Sequence, residues 1–390
     1  MLDRIIFCFG FPFTKRHFAA FKMQELADAG IVVEVWNISS CISPQLADNN
    51  DIYWECAMLK TIKKRQELTQ KILQLNESSL FVFCINYCAK SLFVFRAVSK
   101  KKIKSLLFHH NITPIVESDT GLNIRASFFK KLRHLTFTRV MNKVITLLPR
   151  KFLGISDLSF VVTGGAMSQK VSSFPVGKAT KFWSIHSTDY DSYIEIIEKD
   201  KACTDKHVVF LDEFGPFHPD FIYAELNPFT TQGSYYPALC SFFSIVEDFL
   251  NSKVTIAAHP RVNYQNYGAF FGERSTVQNR TAELVANSKL VLAHSSTSIN
   301  FAVLFRKPII FITTNEIEKS KQSEWIKVFA AQFGKTPINI DQLGGMKIDF
   351  NVELFVDEEK YSQYIEKYIK GSKSPRGSFS EIFLKYFRIV

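Results

Sequence analysis

The sequence lacks a long uninterrupted apolar run, and it lacks the features of a secretory signal. Its most apolar stretch, residues 80–98, is interrupted by polar and charged side chains, and no run reaches the length of about 18 residues that spans a bilayer. The first residues include Asp3 and Arg4 and contain no cleavage site of small residues, so they predict a buried strand. We therefore expect a cytoplasmic protein.

Patterns that hold metals or form disulfide bonds are missing as well. The seven cysteines, an odd number, are scattered largely through apolar runs without CxxC pairs, and histidines with zinc-like spacing are absent. This distribution is typical of a reducing compartment, and we expect neither disulfide bonds nor structural zinc. Asp189 and Asp191 have the spacing of a DxD metal site, but a solvated turn explains them better.

The sequence also lacks internal repeats and nucleic-acid-binding motifs. No internal repeat recurs at the periods of solenoid proteins, and the 38 phenylalanines are dispersed without the signature of an RNA-binding domain. We therefore expect neither a solenoid nor a nucleic-acid partner.

What the sequence does have is a large apolar content and an uneven positive charge. With 390 residues, 46% of them hydrophobic, the chain can bury a large core, and its length favours two domains. The formal net charge is +11, and basic residues are concentrated in the first half. Such a field favours anionic partners such as nucleotides, acidic sugars or an anionic membrane surface, although a solvated basic surface explains it equally well.

A basic amphipathic helix is predicted over residues 127–143. Its aromatic face can rest on a membrane interface, although packing against a domain core is more common for such helices. Peripheral contact with an anionic membrane is therefore one hypothesis for this half of the chain.

Strands and helices alternate along the sequence. Residues 4–11 predict a strand, residues 18–29 a helix that ends at Gly30, and residues 31–38 a second strand. Because crossover connections of this kind are right-handed, the unit implies a parallel sheet. A Lys-rich helix is predicted over residues 58–75.

The alternation predicts an α/β protein, which the length divides into two domains. We place the N-terminal domain at 1–195 and the C-terminal domain at 205–355, separated by a polar link. A helical tail, 356–390, follows, and its helices can cross back to the first domain.

An acidic pair follows the first apolar strand of the second half. The strand at 207–211 ends in Asp212 and Glu213, followed by Phe214 and Gly215. One of the two carboxyl groups can act as a general base, because adjacent side chains project in different directions and only one faces a ligand. A helix or turn cap explains the pair equally well.

The next strand, 253–258, ends in His259, Pro260 and Arg261. An arginine supplies a permanent charge and a protonated histidine supplies a hydrogen-bond donor, so the two suit a phosphate group. The alternative is a loop histidine beside a solvated arginine.

The strand at 289–293 leads into His294, followed by a run of hydroxyls at the start of a helix predicted over 299–305. The hydroxyl-bearing residues of interest are Ser295, Ser296 and Thr297. Backbone N–H groups at a helix N-terminus carry the positive end of its dipole and can bind a phosphate, although an ordinary helix cap is the alternative. Because parallel strands end at one edge of a sheet, the three motifs together indicate a ligand site.

The order of these motifs resembles the bacterial sialyltransferase and Kdo-transferase group of GT-B glycosyltransferases. The shared order is an acidic pair with glycine, then His-Pro, then a Ser-Ser-Thr turn that opens a helix. The segments PFTKRHF (12–18), DEFGPFHPD (212–220), AAHPR (257–261) and HSSTSINFAVLFRKPIIF (294–311) are also similar to proteins of bacterial surface-polysaccharide biosynthesis.

The resemblance implies two Rossmann-like domains that face a cleft, with the nucleotide-sugar donor on the C-terminal domain and a glycan or lipid-linked acceptor on the N-terminal one. It implies a donor in which CMP carries an acidic sugar of the sialic acid or Kdo type, and no metal cofactor. The implied base is Asp212 or, failing that, Glu213, since Phe214 before the glycine leaves open which carboxylate faces the donor.

The resemblance also implies how the donor is held. His259 would contact the donor phosphate, with Pro260 and Arg261 beside it, and Glu283 would contact the ribose. His294 precedes the proposed phosphate-binding turn of Ser295, Ser296 and Thr297. Two alternatives stay open: a GT-B transferase or epimerase that uses a UDP- or GDP-sugar, and a non-catalytic polysaccharide-assembly protein.

Overall fold

The computed structural model describes residues 2–42, 54–114, 145, 148–199, 206–218, 227–260, 262, 264, 268–343 and 348–389. These residues divide into two compact units. The first contains the described residues up to 112, those from 145 to 188, and 371–389; the second contains 189–370 with 113 and 114. The basic helix predicted over 127–143 lies outside the described residues.

A parallel sheet of seven strands forms the centre of the first unit, in the order β3-β2-β1-β4-β5-β6-β7. Its strands are β1 (Arg4–Phe9), β2 (Val32–Asn37), β3 (Leu59–Thr61), β4 (Ser79–Cys84), β5 (Lys104–His109), β6 (Phe160–Thr163) and β7 (Lys181–Ser184). The strands are apolar on both sides, as expected for a parallel sheet covered on both faces. Along β1, Ile6 and Cys8 enter one core, whereas Ile5, Phe7 and Phe9 enter the other.

Short helices connect these strands. They are α1 (Lys15–Ala20), α2 (Met23–Asp28), α3 (Ser39–Ile42), α4 (Arg65–Gln74) and α5 (Leu92–Lys101). The left-handed backbone of Gly30, at φ 85°, confirms the predicted helix end, because glycine adopts this conformation without steric cost.

Two sequence predictions in this unit are wrong in detail. The helix predicted over 18–29 is interrupted, because Lys22 adopts a left-handed backbone at φ 49° and the chain forms α1 and α2 instead. The helix predicted over 58–75 begins only at Arg65, since Leu59–Thr61 pairs with β2 as a strand. At that edge, pairing with open backbone groups of the sheet outweighs the helical spacing.

The second unit contains a parallel sheet of six strands in the order β10-β9-β8-β11-β12-β13. Its strands are β8 (His207–Leu211), β9 (Val254–Ala258), β10 (Thr276–Gln278), β11 (Ser288–Ala293), β12 (Ile309–Thr313) and β13 (Ile338–Asn339). Its helices are α6 (Thr188–Glu198), α7 (Gln232–Leu250), α8 (Thr281–Ala286), α9 (Ile299–Leu304), α10 (Asn315–Glu318), α11 (Gln322–Ala331), α12 (Phe350–Glu353) and α13 (Glu358–Tyr364), the last continued by a π turn, Ile365–Ile369. The two parallel sheets confirm the predicted α/β class.

The last helix, α14 (Phe379–Ile389), belongs to the first unit although it follows the second in sequence. The ring of Phe383 lies 5.8 Å from that of Phe108 and 5.4 Å from that of Trp183. The expectation that the C-terminal part of the chain crosses back to the first domain is therefore confirmed for this helix. Among the described helices, none combines the length and apolarity needed to cross a bilayer.

Removing the Phe383 ring should destabilise the first unit. The side chain is fully buried, so Phe383→Ala leaves a cavity that costs about 3–5 kcal/mol. Urea unfolding should show an earlier transition, whereas Ile389→Ala on the same helix, at an 83% exposed position, should change stability by less than about 0.5 kcal/mol. Equal midpoints for the two variants would contradict the placement of α14 in the core.

Candidate active site

Three neighbouring strands bring the predicted motifs to one edge of the second sheet. β8 lies between β9 and β11, and both pairings are parallel, so the three carboxyl ends point the same way. Two hydrogen-bonded connections join the motifs. Glu213 accepts from the backbone of Ser295, and Asp212 is joined through Tyr264 to the backbone of His259.

Asp212 is held inside the protein by both of its carboxyl oxygens. Oδ1 accepts the Phe214 N–H at 2.9 Å and Oδ2 accepts the Tyr264 hydroxyl at 2.6 Å. The Tyr264 oxygen in turn accepts the His259 N–H at 2.9 Å. Burial raises the pKa of Asp212 to about 6, in spite of these donors, and only 5% of the residue is exposed. Asp212 is therefore a buried link between the ends of β8 and β9.

A sharp turn at Phe214 follows the two carboxylates. Phe214 has a left-handed backbone, φ 54° and ψ 46°, which costs a bulky residue on the order of 1–3 kcal/mol. Its buried ring packs 5.0 Å from the Tyr264 ring, and this packing holds the turn. Gly215 comes next, and a Cβ there would approach within 3.2 Å of Thr230 Cγ2. Because adjacent side chains at a strand end project to different sides, Asp212 lies inside the protein and Glu213 lines a pocket.

Glu213 is hydrogen-bonded to the segment that opens α9. Its Oε1 accepts the Ser295 N–H at 2.7 Å, and its Oε2 lies 3.5 Å from Ser295 Oγ and 3.4 Å from Gln322 Nε2. Burial raises its pKa to about 7, and the Asp212 charge adds to the rise, whereas the bonds from Ser295 oppose it. A carboxyl group with this pKa changes protonation near neutral pH, as a general base requires.

The pocket beside Glu213 has about 690 Å³ of open space. Polar and aromatic side chains share its lining, including Glu213, His218, Phe229, Tyr235, Ile317 and Gln322. The His218 ring is also 5.0 Å from the ring of His259, edge to face. The pocket thus combines a carboxylate, imidazole groups and apolar walls.

His294 is buried and lines the pocket next to Tyr235. Its Nδ1 lies 2.7 Å from the Ile312 carbonyl, which can only accept, so Nδ1 carries the proton and Nε2 accepts the Tyr235 hydroxyl at 2.9 Å. Burial lowers the pKa of His294 to about 4, which keeps the ring neutral at physiological pH. His294 therefore fixes Tyr235 in the pocket wall.

Glu316, on α10, caps α7 and bonds to Thr230, which lines the pocket. Its carboxylate accepts bonds from the Thr230 hydroxyl, the Thr231 N–H and the Ser234 hydroxyl, each at 2.7 Å. Burial alone would raise its pKa, but these hydrogen bonds, led by that of Ser234, hold it at about 2. A carboxylate at the positive end of α7 is also favoured by the helix dipole.

The remaining predicted site residues are spread around this edge. Pro260 is exposed beside His259, whereas Arg261 lies outside the described residues. Ser296 Oγ accepts the Ser298 N–H at 3.2 Å, and Thr297 is exposed.

Glu283 lies on α8, in an ion pair with Arg280 at 2.7 Å, and is not part of the described pocket lining. The roles predicted for these residues in phosphate and ribose binding stay predictions.

Four residues at or beside the pocket were not predicted from the sequence as site residues: Tyr235, Tyr264, Glu316 and Gln322. Tyr264 lies in a loop, Tyr235 is one aromatic among several on an amphipathic helix, and Glu316 and Gln322 stand at the starts of helices where a cap is the usual explanation. Among the described residues, no group of three His, Cys, Asp or Glu side chains is arranged to hold a metal ion.

A solved structure has a fold similar to that of this chain, which contains two parallel-sheet units. A structure of the wall teichoic acid polymerase TagF, a histidine-to-asparagine variant soaked with CDPG, aligns with a TM-score of 0.56 at 10% identity, over 99% of this chain and 88% of that one. The chain has the GT-B fold.

Other GT-B structures align more loosely. MurG of Acinetobacter baumannii has a TM-score of 0.45 at 9% identity, and the UDP-GlcNAc 2-epimerase of Methanocaldococcus jannaschii has 0.46 at 11%, each over 100% of both chains. No protein-family model matches the sequence, and no curated protein matches it. The likeness to TagF supports the GT-B fold, and the comparisons do not support the closer resemblance to sialyltransferases and Kdo transferases.

The raised pKa of Glu213 predicts a dependence of stability on pH. Because the folded state holds this proton up to about pH 7, the contribution of Glu213 to stability is full below its ordinary pKa of 4.5 and is lost as the pH rises through 7. Glu213→Gln stays neutral, so its free energy of unfolding should fall less than that of the wild type between pH 5 and 8, as measured by urea unfolding. The exposed Glu324→Gln is the matched control and should follow the wild-type curve. Parallel curves for wild type and Glu213→Gln would show that Glu213 is not held protonated.

Proposed function

We propose that this protein is a transferase of the GT-B fold that moves a group from a nucleotide-activated donor to an acceptor hydroxyl without a metal, with Glu213 as the general base. The observation that carries the proposal is the carboxylate of Glu213, fixed by the Ser295 N–H at 2.7 Å and lining a pocket at the carboxyl edge of a parallel sheet. Ligands of open α/β sheets bind at this edge.

The chemistry follows from the groups around the pocket. Ionised Glu213 takes the proton of the acceptor hydroxyl as its oxygen attacks the donor, and the bond from the transferred group to the nucleotide phosphate breaks. Negative charge then builds on the leaving phosphate. His218 and His259, with ring centres 5.0 Å apart, can donate hydrogen bonds to it when protonated. These imidazoles could stabilise the leaving group in the role that a metal has elsewhere.

The donor is proposed to be linked through a nucleoside diphosphate. Support comes from the fold likeness to TagF, whose structures include one soaked with CDPG. A UDP- or GDP-sugar belongs to the same class. The motif order of the sequence favours a second candidate, a CMP-linked acidic sugar of the sialic acid or Kdo type, for which Glu213 would have the same role.

The acceptor is proposed to be a glycan or a lipid-linked precursor of one. The resemblance of the motifs to surface-polysaccharide proteins supports this class. The proposal that the first half of the chain contacts an anionic membrane rests on its excess of basic residues alone.

A panel of donors tests the proposed class. Purified protein should release nucleotide from at least one of CDP-glycerol, UDP-sugars and GDP-sugars in preference to CMP-Kdo and CMP-sialic acid, with the rate unchanged by EDTA. Preference for a CMP-sugar would support the second candidate. Failure of every donor to bind or react would support the non-catalytic alternative, and loss of activity in EDTA would contradict the metal-independent mechanism.

Substitution of the carboxylates tests the base. Glu213→Gln should lower kcat by about 100-fold or more, because it removes the group that accepts the proton. The wild-type rate should rise with pH through about 7 as Glu213 ionises. Asp212→Asn should act mainly on stability, since both carboxyl oxygens of Asp212 are bonded within the protein. The opposite ranking, with Asp212→Asn inactive and Glu213→Gln active, would assign the base to Asp212.

His259→Ala separates stabilisation of the leaving group from the role of the base. We expect kcat to fall about 100-fold, with the pH at which the rate rises unchanged, because Glu213 stays in place. Steady-state kinetics over pH 5–9 on the preferred donor provide the measurement. A folded His259→Ala variant with the wild-type rate would remove His259 from the mechanism.

A further inference from the structure

Gln322 contacts both partners of the strand-end bond between Glu213 and Ser295. Its Nε2 lies 2.7 Å from Ser295 Oγ and 3.4 Å from Glu213 Oε2, and its side chain lines the same pocket. No motif of the sequence points to this residue. Its position at the start of α11, after β12, is a consequence of the fold.

The directions of these hydrogen bonds are fixed by chemistry. An amide nitrogen only donates, so Ser295 Oγ accepts from Gln322 and its own proton is free to point to Glu213 Oε2 at 3.5 Å. The second N–H of the Gln322 amide faces the same carboxylate oxygen. The bonds from Ser295 favour the ionised form of Glu213, whereas burial and the charge of Asp212 favour the protonated form. A donor 3.4 Å from Oε2, as Gln322 is, acts in the same sense as Ser295.

The backbone of Gln322 is anchored independently of the pocket. Its N–H donates to Ser320 Oγ at 3.1 Å, and Ser320 Oγ donates to the Ile317 carbonyl at 2.7 Å. The side chain therefore starts from a fixed point, and its reach to Ser295 and Glu213 does not depend on a mobile loop.

We propose that Gln322 is a positioning residue that, with Ser295, holds Glu213 in place at the pocket and sets the pH at which it becomes a base. This inference rests on the proposed function, in which Glu213 takes the proton of the acceptor. Gln322 itself does not exchange a proton, because an amide has no suitable group.

Two substitutions at Gln322 should both raise the pH at which Glu213 ionises, by different amounts. Gln322→Leu keeps the approximate size and removes the donor, so Glu213 should ionise at a higher pH by roughly 0.5 to 1 unit. Gln322→Glu puts a second carboxylate within about 4 Å of Glu213 Oε2. Repulsion between like charges should then raise the pH at which Glu213 ionises by more than about 1 unit. Gln332→Leu, at the other end of the same helix, is the matched control, since Gln332 lies outside the pocket lining and donates to the Val328 carbonyl.

The first readout is the pH profile of kcat/KM on the donor that reacts. The rise of activity with pH should move upward in the order wild type, Gln322→Leu, Gln322→Glu, and the control should coincide with the wild type. A loss of rate at all pH values without a shift would overturn the proposal, because it would show only a general disturbance of the site.

The second readout does not depend on catalysis. The pH dependence of the urea midpoint, compared with and without Glu213→Gln in each Gln322 background, reports the ionisation of Glu213 alone. A higher ionisation pH of Glu213 in Gln322→Leu than in the wild type supports the inference. Identical titration of Glu213 in the two proteins overturns it. If Glu213 titrates as expected but no donor reacts, the role of Gln322 stands and the proposed function fails. If Gln322→Glu does not fold, Gln322→Leu alone decides both readouts.

Discussion

The site depends on one hydrogen bond, from the Ser295 N–H to the carboxylate of Glu213. It forms only because β8 and β11 are parallel neighbours, so that a residue just past the end of one strand meets the chain just past the end of the other. A carboxylate that accepts a backbone N–H at 2.7 Å makes a strong, charge-assisted bond when it is ionised. The bond fixes Glu213 at the wall of the pocket, and the contacts of Gln322 and Ser295 are arranged around it.

Two adjacent carboxyl groups end in different surroundings, since Asp212 is buried and Glu213 is half-buried. Burial raises the pKa of both, to about 6 for Asp212 and about 7 for Glu213. Asp212 is 5% exposed, has both oxygens bonded to groups of the protein and is not part of the described pocket lining. Glu213 lines the pocket, and the left-handed turn at Phe214 follows it. The strain of that turn is offset by the burial of the Phe214 ring.

The sequence predicted the strands of the site well, because buried parallel strands are short apolar runs and the polar residues that end them are easy to see. The strands predicted before Asp212, His259 and His294 lie at His207–Leu211, Val254–Ala258 and Ser288–Ala293. Side chains that reach the site from elsewhere could not be predicted. Gln322 lies on α11, four elements after β11 in the chain, and the direction of its side chain depends on packing that sequence spacing does not predict. The strand Leu59–Thr61 was missed for a related reason, since its partner is distant in sequence.

The fold and the chemistry of this protein are specified by different residues. Alignment with TagF at 10% identity is possible because many apolar side chains satisfy a parallel sheet equally well, provided that they alternate between two cores. The pocket has no such freedom, since an apolar residue in place of Glu213 or Gln322 cannot make the hydrogen bonds to Ser295. Likeness of the backbone therefore indicates the carboxyl edge of the sheet as the place for a ligand, but not which ligand it is. The chemistry of the pocket is decided by the few side chains that follow β8 and β11 and by those that α7 and α11 bring beside them.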